Sequence, residues 1–274
     1  MSVTQTEKAE RFRALHSGPG AFIIPNPWDP GSARLLAGLG FEALATSSAA
    51  AASVLGRRDG RLARDEALAH ARLIVDATDL PVSGDLEKGF GEAPELVAET
   101  VRLAAEAGLV GCTIEDSTGN PERPLYDLAL AVQRIGAAAE AAHALRFPFM
   151  LTARAHNFLY PEPSLDETIR RLQAFERAGA DVLFAPGLPD VATVGKVCSA
   201  VSKPFNFMVG IKGKSFPVKE LAAVGVRRVS LATSLYRAAM TGFLEAANEV
   251  KREGRFSFLE RSVTTPELAE IMRI

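Results

Sequence analysis

Acidic residues stand at the ends of two successive apolar runs. Asp85 and Glu87 close PVSGDLE (81–87), and Glu115 and Asp116 close GCTIED (111–116). Asp85 and Glu87 are two apart, so on an extended strand both side chains project to one face. Carboxylates gathered there repel one another unless they are protonated or neutralised. A hard divalent cation neutralises them, and oxygen-only ligation favours Mg2+ or Mn2+ over zinc. Asp85, Glu87 and Glu115 are therefore candidate metal ligands, Glu115 either directly or through a bound water. Asp59, in LGRRDGR, is a further candidate from a loop. Each acid taken singly fits a salt bridge to Arg57, Arg58, Lys88 or Arg154. Acids at two successive strand ends favour the metal. Gly89 and Gly91 follow directly and are expected to let the chain turn away, leaving room above the ion.

Other polar residues fall at comparable places. Arg154, in LTARAHNF, can hold a carboxylate or phosphonate with two parallel hydrogen bonds, or pair with Glu115 or Glu87. Thr46, Ser47 and Ser48 end ALATSS and offer hydroxyl and backbone N–H groups to an anion, and Asn206 lies in PFNFMVG. His156 is a possible general base, although a lone loop histidine more often serves as a hydrogen-bonding structural group. There is no Ser-His-Asp order, P-loop or GxGxxG, so nucleophilic hydrolysis and nucleotide binding have no motif support.

These residues need a fold that converges them. The candidate strands are 21–26, 43–48, 81–87, 111–116, 149–156, 182–187, 204–210 and 227–233, with amphipathic helical patterns between them. Nearly all-apolar strands separated by helices argue for a parallel sheet covered by helices. Eight such units in 274 residues fit a closed (β/α)8 TIM barrel, whose post-strand loops form the active face. An open doubly wound sheet is the alternative, but the turn after its first strand is usually Gly-rich, and here it reads PNPWDPG. One domain over 1–274 is expected, with a C-terminal helical extension from about 255.

Composition narrows the function classes. The 31 basic and 33 acidic residues give a net charge of −2, with no basic excess or Lys/Arg run for nucleic acid or an anionic membrane. No 18-residue apolar run is present to span a membrane, and the charged N-terminal stretch lacks a signal-peptide apolar region. A cytoplasmic location is expected. Cys112 and Cys198 lie far apart in apolar segments and read as buried thiols.

From FIIPNPWDPGSARLLAGLGFEALATSS to VRRVSLATSLYRAA, the chain resembles the isocitrate lyase/phosphoenolpyruvate mutase superfamily. The marks are Gly84-Asp85-Leu86-Glu87-Lys88-Gly89-Phe90-Gly91, then Thr113-Ile114-Glu115-Asp116, then Thr152-Ala153-Arg154. The resemblance implies a (β/α)8 barrel, often with the last helix exchanged between subunits of a homodimer or homotetramer. It implies Mg2+ held by Asp85, Glu87 and Glu115, partly through water, with Asp59 nearby. It also implies a 2-oxo acid or its enolate on the metal, contacted by Ser47, Ser48 and Arg154. Arg154 and Glu115 are the candidate catalytic residues.

The chain departs from the superfamily pattern at two points. Glu87 stands where Asp is common, which shifts direct ligation toward a water-mediated contact. After the fourth strand, isocitrate and methylisocitrate lyases carry Lys-Lys/Arg-Cys-Gly-His. Residues 117–125 here read STGNPERPL, with no Cys, His or Lys, and the glycine and prolines mark an exposed loop suited to a lid. The expected activity is a Mg2+-dependent lyase that cleaves a C–C bond, or decarboxylates, next to a 2-oxo acid in a small di- or tricarboxylate. The alternatives are a phosphonopyruvate- or phosphoenolpyruvate-processing mutase or hydrolase, and a 2-oxo acid binder with little turnover.

Overall fold

The apolar runs form eight strands: β1 Phe22–Ile24, β2 Leu44–Ala45, β3 Val82–Asp85, β4 Gly111–Glu115, β5 Met150–Arg154, β6 Val182–Phe184, β7 Phe205–Met208 and β8 Val226–Ser230. The computed structural model describes residues 3–273; residues 1, 2 and 274, part of the expected 1–274 domain, lie outside it. The strands are parallel in the order β1-β8-β7-β6-β5-β4-β3-β2. The β1–β2 seam is bridged by the Ala45 N–H donating to Pro25 O at 3.0 Å. Asn26 strengthens this seam. Its Nδ2 donates to Thr46 O at 2.9 Å, and its Oδ1 accepts from the Leu231 N–H at 3.0 Å. A nearly closed (β/α)8 barrel results, as the alternation of elements predicts.

Helices follow the strands for local reasons. Asp29 caps the helix Pro30–Gly38 by accepting from the Ser32 N–H at 2.6 Å, with Pro30 at its first position. The predicted second strand, 43–48, is shorter than expected because Ser47 caps the helix Ser48–Val54, which takes over the segment's end. Buried Val97, Val101 and Ala104 on the helix Pro94–Glu106 join Leu86, Leu109 and Ile114 in the main core between helices and sheet.

Two helical regions frame this repeat, one before β1 and one running on from the helix that follows β8. The helix Gln5–Ser17 begins with a Thr4/Glu7 capping box. Its Ala9 and Phe12 pack with Ile24, Ala43, Val110, Met150 and Val182, closing the base of the barrel. At the other end, the helix Ser234–Glu253 has no buried residue, and Phe243 and Leu244 are 64% and 57% exposed. Past residue 255 the chain forms a 3-10 helix, Ser257–Arg261, and a final helix, Thr265–Met272. Thr264 caps the helix Thr265–Met272, which packs on Pro30–Gly38 so closely that a Cβ at Gly38 would sit 1.8 Å from Ile271 O.

Candidate active site

A cavity of about 60 Å3 opens inside the barrel, lined by Thr46, Ser47, Asp85, Arg154, Asn206 and Arg228 among others. Asp85 ends β3. Its backbone N–H donates to Thr46 Oγ1 at 2.9 Å, and its Oδ2 accepts from the Ser48 N–H at 3.1 Å. Its Oδ1 is buried without a hydrogen-bond partner. Burial raises the Asp85 pKa; Arg154 opposes that rise, while Glu115 and Asp59 add to it.

Arg154, at the end of β5, sits beside Glu115 at the end of the neighbouring β4. Its Nη1 lies 3.4 Å from Glu115 Oε2 and its Nη2 3.3 Å from His156 Nε2, while its Nε is buried and unpartnered. His156 Nδ1 is 3.3 Å from the same Glu115 oxygen. Burial alone would raise the Glu115 pKa, but Arg154 and His156 hold it below the ordinary value. Glu115 thus makes the salt bridge that competes with ligation.

Glu87 departs from the extended-strand expectation. The strand stops at Asp85, and Glu87 adopts φ 50° in a turn where the Gly89 N–H donates to Leu86 O at 2.8 Å. Period-two alternation therefore does not carry from Asp85 to Glu87. Glu87 lines an adjoining cleft with Gly60, Leu62 and Lys88. A non-glycine residue in this region costs about 1–2 kcal/mol. Gly89 does one half of the job expected of it and not the other. Its φ of 81° makes the turn, but a Cβ there would meet Val97 at 2.9 Å, and one at Gly91 would meet Leu96 at 2.6 Å. These glycines admit a covering helix rather than clear space above an ion.

Burial, followed by Asp85, Asp59 and Glu115, raises the Glu87 carboxyl from 4.5 to about 7. The folded protein therefore keeps a proton that the unfolded chain releases near 4.5, and the stability this provides is lost as pH rises through about 7. Glu87→Gln should flatten the fall in metal-free melting temperature between roughly pH 5 and pH 8. Melting curves across that range check this, and an unchanged slope would remove the assignment.

The structure gathers some of the expected residues and separates others. Thr46, Ser47, Asp85, Arg154 and Asn206 line the barrel cavity. Ser48 reaches Asp85 through its backbone N–H. Asp59 is exposed, its Oδ1 accepting from the Gly60 N–H at 3.1 Å. Asp116 turns away from the mouth into a buried contact with Arg171 at 3.1 Å and with the His156 N–H at 2.8 Å. Among the described residues, no three His, Cys, Asp or Glu side chains are placed to hold one metal ion. A partly water-coordinated cation still fits the donor set. Asp85 Oδ1 has no other partner, and Asp59 and Glu115 add negative charge around it. Mg2+ commonly keeps several waters and uses one or two carboxylates.

The loop 117–125 is tied down. Ser117 and Leu125 form an antiparallel bridge, Lys88 Nζ donates to Thr118 O at 2.6 Å, and the Ser117 and Tyr160 hydroxyls are 2.8 Å apart. Sequence reasoning missed Asn26 and Arg228 in the cavity lining. Asn26 directly follows the predicted strand core FIIP, a position that could have drawn attention to it.

A (β/α)8 barrel with a buried carboxylate and a guanidinium at the ends of its strands carries its polar groups where enzymes of this architecture place their active sites. The chain belongs to the phosphoenolpyruvate phosphomutase family, matching it over residues 12–251. The oxaloacetate decarboxylase of Ectopseudomonas mendocina (strain ymp) is 30% identical over 250 residues, 89% of this chain and 84% of that protein. A crystal structure of a candidate lyase/mutase from Burkholderia cenocepacia J2315 is 52% identical, covers 98% of both chains and superposes with a TM-score of 0.96. The structure of 2,3-dimethylmalate lyase, a PEP mutase/isocitrate lyase superfamily member, is 27% identical over 98% of this chain and 95% of that one, with a TM-score of 0.86. Together these place the chain among the carbon–carbon lyases of this superfamily. Among the described residues, no helix is long and apolar enough to cross a membrane.

Proposed function

We propose that this protein is a Mg2+-dependent lyase that cleaves a C–C bond, or releases CO2, next to a 2-oxo acid in a small di- or tricarboxylate, through an enolate. The observation that carries this reading is a pair of buried, unpartnered atoms of opposite character: Asp85 Oδ1 and Arg154 Nε, on residues that line one cavity. The first calls for a cation or a proton donor and the second for an anion. A 2-oxo acid bound with a divalent cation satisfies both.

Asp85 would hold the cation, with Glu115, Glu87 and Asp59 acting through water, and Mn2+ would substitute for Mg2+. The cation would supply positive charge opposite the enolate oxygen. Arg154 would hold the substrate carboxylate, with Glu115 and His156 fixing the guanidinium plane. Thr46 would orient Asp85 through the backbone, while Ser47, Ser48 and Asn206 offer hydrogen-bond donors to the substrate. When CO2 leaves, the electron pair of the broken bond stays on the remaining fragment as the enolate, which then takes a proton at carbon. That route does not require a leaving group to be protonated, which suits a loop 117–125 without Cys, His or Lys. The named decarboxylase relative supports it.

The family match favours a second reading, turnover of phosphonopyruvate or phosphoenolpyruvate. A panel of oxaloacetate, substituted malates, methylisocitrate and phosphonopyruvate, each run with Mg2+ and with EDTA, separates the readings. Release of pyruvate, glyoxylate or CO2 from a carboxylate, lost with EDTA, is the expected result. Turnover of phosphonopyruvate alone supports the second reading. Tight 2-oxo acid binding with no turnover makes the protein a binder.

The chain is read as one domain that associates with copies of itself in a dimer or tetramer. Support comes from the helix Ser234–Glu253, which has no fully buried residue and leaves Phe243 and Leu244 exposed. Light scattering should give twice or four times the chain mass of 29.2 kDa, and a monomer would end this part of the reading.

A further inference from the structure

The interior of a (β/α)8 barrel is ordinarily filled by branched apolar side chains. Here β8 places an arginine there. Arg228 is 3% exposed and lines the same cavity as Asp85 and Arg154. Its Nε donates to Asn206 Oδ1 at 2.8 Å, its Nη2 donates to Thr152 Oγ1 at 3.0 Å, and its Nη1 lies 3.3 Å from His16 Nε2. All three partners are uncharged. His16 Nδ1 is 2.8 Å from the Phe12 carbonyl and so carries the proton, leaving Nε2 to accept from Arg228. Burial, and then Arg228 itself, pull His16 down to about 3, so the ring stays neutral. Burial lowers Arg228 to about 9, which leaves the guanidinium charged at neutral pH. Among the described residues, no carboxylate forms an ion pair with it.

A buried charge without a counter-ion is costly, and an apolar side chain of similar volume would commonly serve stability as well or better. The geometry gives this one a use. Because Asn206 Oδ1 faces Arg228, its Nδ2 must be the group that turns toward Ser230, donating to Oγ at 3.1 Å. One Nδ2 hydrogen then remains for a ligand. Arg154 and Arg228, on β5 and β8, supply two positive charges to the one cavity.

We propose that Arg228 is a specificity-determining residue of this site: it holds the Asn206 amide with its N–H available to the cavity and adds an uncompensated positive charge, so that the site selects dianions over monoanions of similar size. This rests on the reading of the cavity as a 2-oxo acid site.

The test compares the binding of oxalate, a dianion, and pyruvate, a monoanion, by titration calorimetry in Mg2+. Arg228→Met should weaken oxalate about tenfold or more, the scale of a hydrogen bond to a charged group, and pyruvate no more than about threefold. Its melting temperature should fall, because Asn206 Oδ1 and His16 Nε2 lose their donor; the selective loss of oxalate affinity is the outcome a merely structural arginine does not give. Arg228→Lys, titrated at about pH 6 to favour the protonated form of the buried amine, loses the three-way fork and should weaken both probes while preserving their ratio. It also carries the test if the Met variant does not fold. A wild-type oxalate-to-pyruvate ratio in Arg228→Met overturns the proposal whatever the melting temperature, as does wild-type affinity for both probes in Arg228→Lys. If the wild-type protein binds neither probe, the 2-oxo acid reading itself fails and this inference falls with it.

Discussion

Replacing Asp85 by Ala is expected to lower Mg2+-dependent oxalate affinity by at least about a hundredfold. Removing even an outer-shell partner of a metal ligand typically costs 10- to 100-fold, and Asp85 is proposed to touch the ion. Its carboxylate lines the cavity, its Oδ1 has no protein partner, and burial raises its pKa. The same facts predict the effect on stability. Burial raises the Asp85 pKa, so its ionised form costs stability at neutral pH, and the neutral, near-isosteric Asp85→Asn should leave the metal-free melting temperature unchanged or higher. The expected gain is about 2–4 °C per kcal/mol recovered in a chain of this size class. Calorimetric titration and thermal melting of the two variants check both halves. If Asp85→Ala bound Mg2+ and oxalate as the wild type does, the metal would have to sit elsewhere. A large loss of stability in Asp85→Asn would make Asp85 a structural residue.

Arg154→Lys is the second variant with a large expected effect. The guanidinium reaches Glu115 with Nη1 and His156 with Nη2, and its buried Nε has no hydrogen-bond partner. A lysine ammonium is a point charge and cannot serve three directions from one plane. The loss of a charge-assisted hydrogen bond, about 1.5–3 kcal/mol, corresponds to roughly 10- to 150-fold weaker carboxylate binding. The lower end is expected, because the charge remains. The measurement is the oxalate dissociation constant at fixed Mg2+, together with kcat and KM for whichever substrate the panel identifies. An effect on kcat/KM without a change in oxalate affinity would move Arg154 from holding the carboxylate to stabilising the reaction's charge alone. No effect on either would leave Arg154 as the ion-pair partner of Glu115.

The two acids at 85 and 87 show where local pattern stops being informative. Alternation is a property of extended backbone, and it predicts a shared face only while the strand lasts. β3 ends at Asp85, and the next residues turn through positive φ at Glu87, Gly89 and Phe90. That turn lies tightly against the helix that follows it. The helix Pro94–Glu106 leaves no space for a Cβ at Gly89 beside Val97, or at Gly91 beside Leu96. Such contacts join residues several positions apart through a geometry that no periodicity records. Glu115 illustrates the same limit in electrostatics. Its register opposite Arg154 on β5 brings the two together, and that register belongs to the assembled sheet.

By itself, the sequence determined the eight strands, their alternation with helices, and the strand ends that carry polar chemistry, because apolar runs and helical periodicity are local consequences of burial on one or both faces. Thr46, Ser47, Asp85, Arg154 and Asn206 were legible on that basis and do line one cavity. Only the tertiary structure decided which way the remaining groups face. Arg227 and Arg228 are adjacent and alike in sequence. Yet Arg227 donates to the Gly18 and Gly20 carbonyls outside the strand ring, while Arg228 enters the barrel to meet Asn206, Thr152 and His16. The two differ by one residue of strand parity. That parity is set by closure of the sheet and by the N-terminal helix across its base, through contacts between residues more than 200 positions apart.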